Sequence, residues 1–187
     1  MNFLLIAVGV LILVVLLWLV LAYNSLVRLR NEAAQGESSI DIQLKRRADL
    51  IPNLVEAVKG YATHESATFE KVSNARAQAL GAKTLGDKAA ADGAMQSALG
   101  GLFAVAEAYP QLRAVEAFTK LQTELSDTED KIAAARRYYN SVVQRFNTKQ
   151  QTIPTSLIAS AFGFSPREFY RLEDDAEREP VKVDIAR

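Results

Sequence analysis

The sequence predicts an all-α protein, in which an N-terminal transmembrane helix is followed by an antiparallel long-helix bundle with two short C-terminal helices. Three observations predict it: an uncharged apolar segment at the N-terminus, apolar residues that recur every three or four positions afterwards, and prolines and glycines at the expected helix ends. We divide the chain into an anchor at residues 1–23, a helical bundle at residues 24–179 and an extended tail at residues 180–187.

The anchor is predicted from residues 3–22, which carry no charged or strongly polar side chain. At ~1.5 Å per residue, a helix of this length crosses the ~30 Å hydrocarbon core of a bilayer. Leu13 and Leu17 lie inside the segment, and the rings of Trp18 and Tyr23 come near its end, where amphipathic rings prefer the interface. A signal peptide would have a basic start and a shorter apolar run, and a soluble core helix would usually keep a polar face. The pattern favours an anchor.

Charge sets the expected orientation. All the basic residues near the anchor follow it, beginning with Arg28 and Arg30 and continuing with Lys45, Arg46 and Arg47. The positive-inside rule then puts the bundle in the cytoplasm and the N-terminus outside. The chain has 22 basic and 22 acidic residues and no cysteine. These counts argue against a nucleic-acid partner and exclude disulfides and thiol chemistry.

The first predicted bundle helix carries an apolar stripe with spacings of three, four or their sums. Pro52 falls inside the stripe, so we expect a kink or a restart there, and a kink is favoured because the stripe resumes in phase. The stripe consists of Leu26, Leu29, Ala33, Gly36, Ile40, Leu44, Ile51, Leu54, Val58, Tyr61, Val72 and Ala79.

A second long helix is predicted to start at Pro110, after a glycine-rich connection at residues 83–101. Its apolar positions alternate three and four apart, which is typical of a helix packed antiparallel against another long helix. We call these positions the heptad seam: Phe118, Leu121, Leu125, Thr128, Ile132, Ala135, Tyr139, Val142 and Phe146.

Two short helices are expected to close the bundle. Pro154 opens one at residues 155–162, which Gly163 ends as a left-handed cap. The capping-box sequence at residues 165–168 predicts the start of the other. The acidic run at residues 173–177 is interpreted as a solvated helix end, and the alternating residues after Pro180 as an extended tail.

No catalytic, metal or cofactor site is predicted, and no small-molecule substrate is evident. His64 is the single histidine, so neither a di-iron helix pair nor a two-histidine zinc motif can be built. The glycines are too dispersed for a phosphate-binding loop. A histidine beside Glu65 is usually a surface or capping residue.

One dense polar cluster stands out, from Asp41 to Lys59. Spacings of three and four put Arg46, Asp49, Asn53 and Glu56 on one side of a helix, which we call the 46–56 face. The simplest interpretation is a ladder of ion pairs within one helix. The alternatives are a protein-contact face and a buried polar network between helices.

Several motifs of this sequence resemble the signature of one family. The motifs are residues 23–24, 40–47, 49–56, 58–61, 108–110, 121–122, 124–125, 128–129, 135–140, 153–154 and 162–164. On these residues the chain is identified as a member of the bacterial LemA family. Many members have a tryptophan just before Ser38, where this chain has Glu37, so the packing usual in the family is not expected at this point.

The resemblance implies one N-terminal helix in the bacterial inner membrane and a cytoplasmic bundle of long antiparallel helices, with no established reaction. It also suggests roles in membrane organisation and an association with membrane proteases of the HtpX type. Our first hypothesis is therefore a non-enzymatic scaffold or adaptor that self-assembles or binds another membrane protein. The alternative is an oligomerising membrane-remodelling protein. An enzyme or sensor would need a pocket that the sequence does not reveal.

Overall fold

A computed structural model of the chain describes residues 2–171, apart from the side chain of Arg113. In these residues the only regular secondary structure is helix, which confirms the predicted fold class of a long apolar N-terminal helix followed by a helical bundle. The helices are α1 (Asn2–Lys59), α2 (Ser66–Gly81), α3 (Leu85–Ala108), α4 (Pro110–Arg113), α5 (Glu116–Gln151) and α6 (Thr155–Ala161).

Helix α1 runs through Pro52 without a restart. Proline has no N–H to donate to the carbonyl four residues earlier, which here belongs to Ala48. The Nε of Arg76 on α2 donates to that carbonyl at 2.8 Å. A side chain from another helix therefore satisfies the backbone acceptor that Pro52 leaves open, as a buried carbonyl requires.

The first helix ends earlier than the apolar stripe predicts. The chain leaves α1 after Lys59 and starts α2 at Ser66, so the extension of one helix to Ala79 is wrong. Helix α2 has its own apolar face, including buried Phe69 and Val72, which continues the spacing of the stripe. Its N-cap residue, Glu65, makes no side-chain capping hydrogen bond. The sequence therefore gives no strong capping signal at this break.

The predicted connection at residues 83–101 is also wrong, because most of it belongs to the 24-residue helix α3. A capping box starts this helix: the Thr84 hydroxyl accepts from the Asp87 N–H, and the Asp87 carboxylate accepts from the Thr84 N–H, both at 3.1 Å. The Thr84 side chain and then its N–H lower the pKa of the Asp87 carboxyl. Each glycine costs ~1 kcal/mol in a helix relative to alanine. Packing overrides this cost, since Met95 and Leu102 are fully buried.

The second long helix begins close to its predicted start. Pro110 lies in the first turn of the short helix α4, and α5 follows after Ala114 and Val115. The heptad seam is confirmed, because seven of its nine members are buried and the other two, Leu121 and Ala135, are half-buried. Thr128 is accommodated there because its hydroxyl donates to the Glu124 carbonyl at 2.7 Å.

One of the two predicted C-terminal helices is present in the described part of the chain. Helix α6 ends at Ala161, and Gly163 follows two residues later with a φ of 69°, which confirms the left-handed cap. The other helix is wrong where it can be seen, because residues 164–171 are not helical. The Asn147 amide accepts from the N–H of Arg167 at 2.9 Å and donates to its carbonyl at 2.8 Å, so that backbone is held without helical bonds. The acidic run at residues 173–177 and the tail lie outside the described residues.

The chain divides into two compact units that do not follow its order. Unit 1 combines Met1–Ile40 with Ala133–Phe169, and unit 2 contains Asp41–Ile132 and, among the described residues, also Tyr170 and Arg171. Helices α1 and α5 each contribute to both units. The predicted division into residues 24–179 and a tail stays a prediction.

Unit 1 pairs α1 with α5 in antiparallel directions. Earlier residues of α1 contact later residues of α5: Gly36 with Tyr139, Glu32 with Arg145, and Ser25 with Lys149. A Cβ built at Gly36 would lie 3.3 Å from the Tyr139 Cα, so this small residue allows the two helices to approach closely. Leu26, Leu29, Phe146, Ile158 and Ala159 form the buried core beside this pairing.

Unit 2 packs the end of α1 against α2, α3 and the first part of α5. Its core is built from leucine, valine, phenylalanine and alanine, together with Ile51 and Met95. The largest buried members are Ile51, Leu54, Phe69, Met95, Leu99, Leu102, Leu112, Phe118 and Leu125.

Candidate functional site

The predicted anchor residues all lie on α1 with their side chains exposed. None of the most apolar 18-residue window of this helix is buried, which distinguishes it from a soluble core helix. In residues 2–171, α1 is the one helix long and apolar enough to cross a bilayer. Leu13 and Leu17 are exposed by more than half, whereas Trp18 and Tyr23 are each 37% exposed. This helix fits a single-pass membrane protein.

The 46–56 face is exposed at every position. Arg46, Asp49, Asn53 and Glu56 lie on one side of α1 in unit 2, together with exposed Pro52. The exposure argues against the interpretation of these four residues as a buried network. Whether they contact another protein stays a prediction.

A buried polar network does exist in unit 2, and it is centred on the neighbouring residue Arg47. The Arg47 side chain is 1% exposed, and its two terminal nitrogens each lie 2.8 Å from a carboxylate oxygen, one of Asp92 and one of Glu129. Arg47 thereby joins α1 to α3 through an ion pair with Asp92, and to α5 through a charge-assisted hydrogen bond to Glu129. Because a buried charge is costly without partners, this arrangement favours one register of the three helices.

Tyr170 extends the network to the segment that follows α6. Its hydroxyl lies 2.8 Å from a carboxylate oxygen of Asp92 and 3.2 Å from the Lys88 carbonyl. The Lys88 ammonium in turn lies 2.7 Å from the Asp41 carboxylate. Four parts of the chain in unit 2 therefore meet at these polar groups.

Arg47 was counted among the basic residues that follow the anchor, but no buried role was predicted for it from the sequence. The signal was present in the apolar stripe, which passes from Leu44 to Ile51 and omits the position between them. A spacing of three and then four puts Arg47 at that position, so a charged residue stands where a buried one is expected. Asp92 could not be found, because it falls in the stretch that was predicted to be a connection.

Glu37 of unit 1 takes part in polar contacts. Its carboxylate lies 3.6 Å from the Arg167 guanidinium. The adjacent Tyr139 hydroxyl donates to the Glu168 carbonyl at 2.9 Å. Burial, and then the charge of Glu37, raise the pKa of the Tyr139 phenol. At the position before Ser38 this chain therefore uses an ion pair to hold the segment after α6.

A groove of unit 2 lies between α3 and α5 and has a volume of about 510 Å³. Leu99, Phe103 and Leu125 contribute apolar surface, and its lining contains no histidine or lysine. Glu129 lines it too, but this carboxylate already binds Arg47. In residues 2–171 no three histidine, aspartate or glutamate side chains could together hold a metal ion. His64 is exposed in the connection between α1 and α2.

An unburied apolar helix that continues into a helical bundle defines the class of membrane-associated helical proteins. Comparison with known proteins identifies the group within that class. The sequence profile of the LemA family matches residues 36–185, and the chain belongs to this family.

Its similar relatives are magnetosome and LemA proteins. The magnetosome protein MamQ 2 of Paramagnetospirillum magneticum is 28% identical over 179 residues, which cover 82% of this chain and 66% of that protein. MamQ of Magnetospirillum gryphiswaldense is 28% identical, with 89% of this chain and 71% of that protein covered. Protein LemA of Metamycoplasma hominis is 30% identical over 139 residues, which cover 73% of this chain and 63% of that protein. The chain thus spans about two thirds of the length of these relatives.

Proposed function

We propose that this protein is a membrane-anchored, non-enzymatic scaffold or adaptor, which uses the 46–56 face to self-assemble or to bind another membrane protein. One observation carries the proposal: the same continuous helix, α1, contains the apolar anchor and an exposed face of charged and amide side chains. A partner held in the same bilayer would meet this face at high local concentration, because both proteins are confined to the membrane. The magnetosome names of the relatives support a role in membrane organisation.

The proposal places the bundle in the cytoplasm, because the basic residues that follow the anchor belong there under the positive-inside rule. A membrane protease of the HtpX type is one candidate partner, and a second copy of the chain is another. Both would be recognised through charge complementarity to Arg46, Asp49 and Glu56, which contributes specificity and association rate more than raw affinity.

Charge reversal tests the 46–56 face. We expect Arg46→Glu together with Glu56→Lys to leave the melting temperature nearly unchanged, since exposed pairs contribute ~0–1 kcal/mol. The same variant should reduce the recovery of oligomer or partner after crosslinking in membranes. The matched control is Lys71→Glu with Glu70→Lys, which exchanges the same charges at exposed positions of α2.

The outcomes separate the hypotheses. Equal recovery for parent, face variant and control would reduce the 46–56 face to a solvated surface. Loss of stability in the face variant would mean that its side chains support the fold. Sedimentation of the detergent-solubilised chain then distinguishes a small discrete complex, expected of an adaptor, from large homopolymers that tubulate liposomes, expected of the remodelling alternative.

A further inference from the structure

Three large apolar side chains around α6 are exposed in unit 1. Ile153 is 81% exposed, Leu157 71% and Phe162 64%. Helix α6 also has a buried side. Ile158 and Ala159 are each 4% exposed and belong to the core of the unit. Helix α6 therefore has apolar residues on both sides, and one side is covered by the protein. Exposed apolar patches of this kind mark contact surfaces.

The position of α6 is fixed by its contacts with the end of the anchor. Ile158 and Ala159 share a buried cluster with Ala22, the last residue of the apolar segment. The ring of Phe162 lies 4.8 Å from the ring of Tyr23, the next residue. If α1 spans a bilayer from residue 3 to residue 22, these contacts put α6 at the level of the interface, where aromatic rings are enriched.

The distribution of charged residues around α6 also fits a position at the membrane interface. Residues 150–166 contain no charged side chain, although 24% of the whole sequence is charged. Basic groups lie next to this stretch: Lys149 precedes it and donates to the Ser25 hydroxyl, and the Arg30 guanidinium of α1 lies 5.4 Å from the centre of the Phe164 ring. An uncharged apolar surface bordered by basic groups matches a bilayer interface with acyl chains below and anionic headgroups above.

We propose that Ile153, Leu157 and Phe162 insert into the interfacial layer of the bilayer that α1 spans, so that α6 is a second membrane contact. The occupant of this surface is lipid, because the surface continues directly from the anchor through Tyr23. The inference rests on the membrane anchoring of the proposed function but is independent of the 46–56 face. It would hold unit 1 against the membrane surface at a second point besides α1.

Tryptophan fluorescence tests the contact in the full chain. Trp18 is the single tryptophan, so Trp18→Phe gives a background in which Phe162→Trp reports on α6. The variant is reconstituted into phosphatidylcholine–phosphatidylglycerol vesicles with or without lipids brominated in the acyl chain. We expect brominated lipid to quench this tryptophan strongly, aqueous iodide to quench it little, and its emission to be blue-shifted. Leu157→Trp is a second probe that keeps the Tyr23–Phe162 ring pair.

Tyr138→Trp in the same background is the matched control. Tyr138 is a half-exposed aromatic residue of unit 1 beside Gly36, roughly 20 Å further along α1 than Tyr23 by helical rise. This probe should be quenched by iodide and not by brominated lipid. Adding Leu157→Glu to Phe162→Trp should reduce quenching by lipid, while circular dichroism shows unchanged helix content.

The remaining outcomes overturn the inference in distinguishable ways. If Phe162→Trp and Leu157→Trp respond to iodide as Tyr138→Trp does, α6 faces water. If both probes are protected from iodide and from brominated lipid, protein covers the surface, as in contact with a second copy. The parent chain tests the anchor itself: Trp18 must be quenched by brominated lipid. Failure of that control would overturn the anchoring as well, whereas a quenched Trp18 with unquenched probes on α6 would overturn this inference alone.

Discussion

At the scale of single residues, Arg46 and Arg47 are neighbours with opposite surroundings. Arg46 is exposed, whereas Arg47 is buried between Asp92 and Glu129. We expect Arg47→Ala to lower the free energy of unfolding by about 3–5 kcal/mol, because it leaves buried carboxylate charge uncompensated. Arg46→Ala should lower it by less than ~1 kcal/mol. Urea unfolding of both variants in detergent measures the difference, and equal effects would contradict the network.

The burial and the contacts of a residue could be predicted from the sequence where its surroundings come from one helix, but not where they come from several. The burial of the heptad seam and the exposure of His64 follow from periodicity and sequence context along one segment. The pairing of Arg47 with Asp92 does not, because it requires knowing that α1 and α3 are adjacent. The donation of Arg76 to the Ala48 carbonyl is similar: Pro52 indicates that an acceptor is open, but not which side chain fills it.

At the scale of elements, the heptad seam of α5 makes Leu125 a core residue of unit 2. Leu125→Ala removes buried methyl groups and leaves a cavity, so we expect a loss of about 2–5 kcal/mol in stability. His64→Ala is the control, because His64 is exposed between α1 and α2 and should change little. Thermal melts of the two variants decide the point: comparable shifts in melting temperature would mean that the seam does not form the core.

Elements were predicted well where a periodic pattern and an end signal agreed. Helix α6 combined Pro154 with Gly163, and α5 combined a start near Pro110 with an unbroken seam. Helix α3 was missed because its glycines indicated a connection and the Thr84–Asp87 capping box was not recognised, although Met95 and Leu102 supply the buried face. Conversely, the sequence after Ser165 resembles a helix start, but Asn147 binds the backbone there instead.

At the scale of the whole molecule, we expect membrane attachment to depend on the apolar part of α1. Leu13→Arg with Leu17→Arg puts two charges near the bilayer centre, at roughly 2.5–3.5 kcal/mol each. We expect this variant to be released by carbonate extraction more readily than the parent. Leu13→Ala with Leu17→Ala is the control, since it shortens the same side chains without adding charge and should stay in the membrane. Equal resistance of the arginine variant would mean that residues 3–22 are not the anchor.

The long apolar first helix and the helical class of residues 2–171 were predicted, because both follow from composition and periodicity. The two units were not predicted. No proline-rich or glycine-rich linker marks their boundary, which falls at Ile40 inside α1 and at Ile132 inside α5. Such a division depends on which surfaces pack together, and one sequence does not contain that information in a readable form.

Unit 1 is built from two separate segments of the chain, and this affects the order in which the protein can assemble during translation. Its two segments, Met1–Ile40 and Ala133–Phe169, are separated by the main part of unit 2. The ribosome therefore finishes the anchor long before it makes Phe146, Ile158 and Ala159, which cover Leu26. Meanwhile Asp41–Ile132 is contiguous, so we expect this part of unit 2 to collapse first and to shorten the loop that unit 1 must close. The second segment of unit 1 would then close over a first helix that is already inserted in the bilayer, and α6 would reach the membrane surface only at that stage.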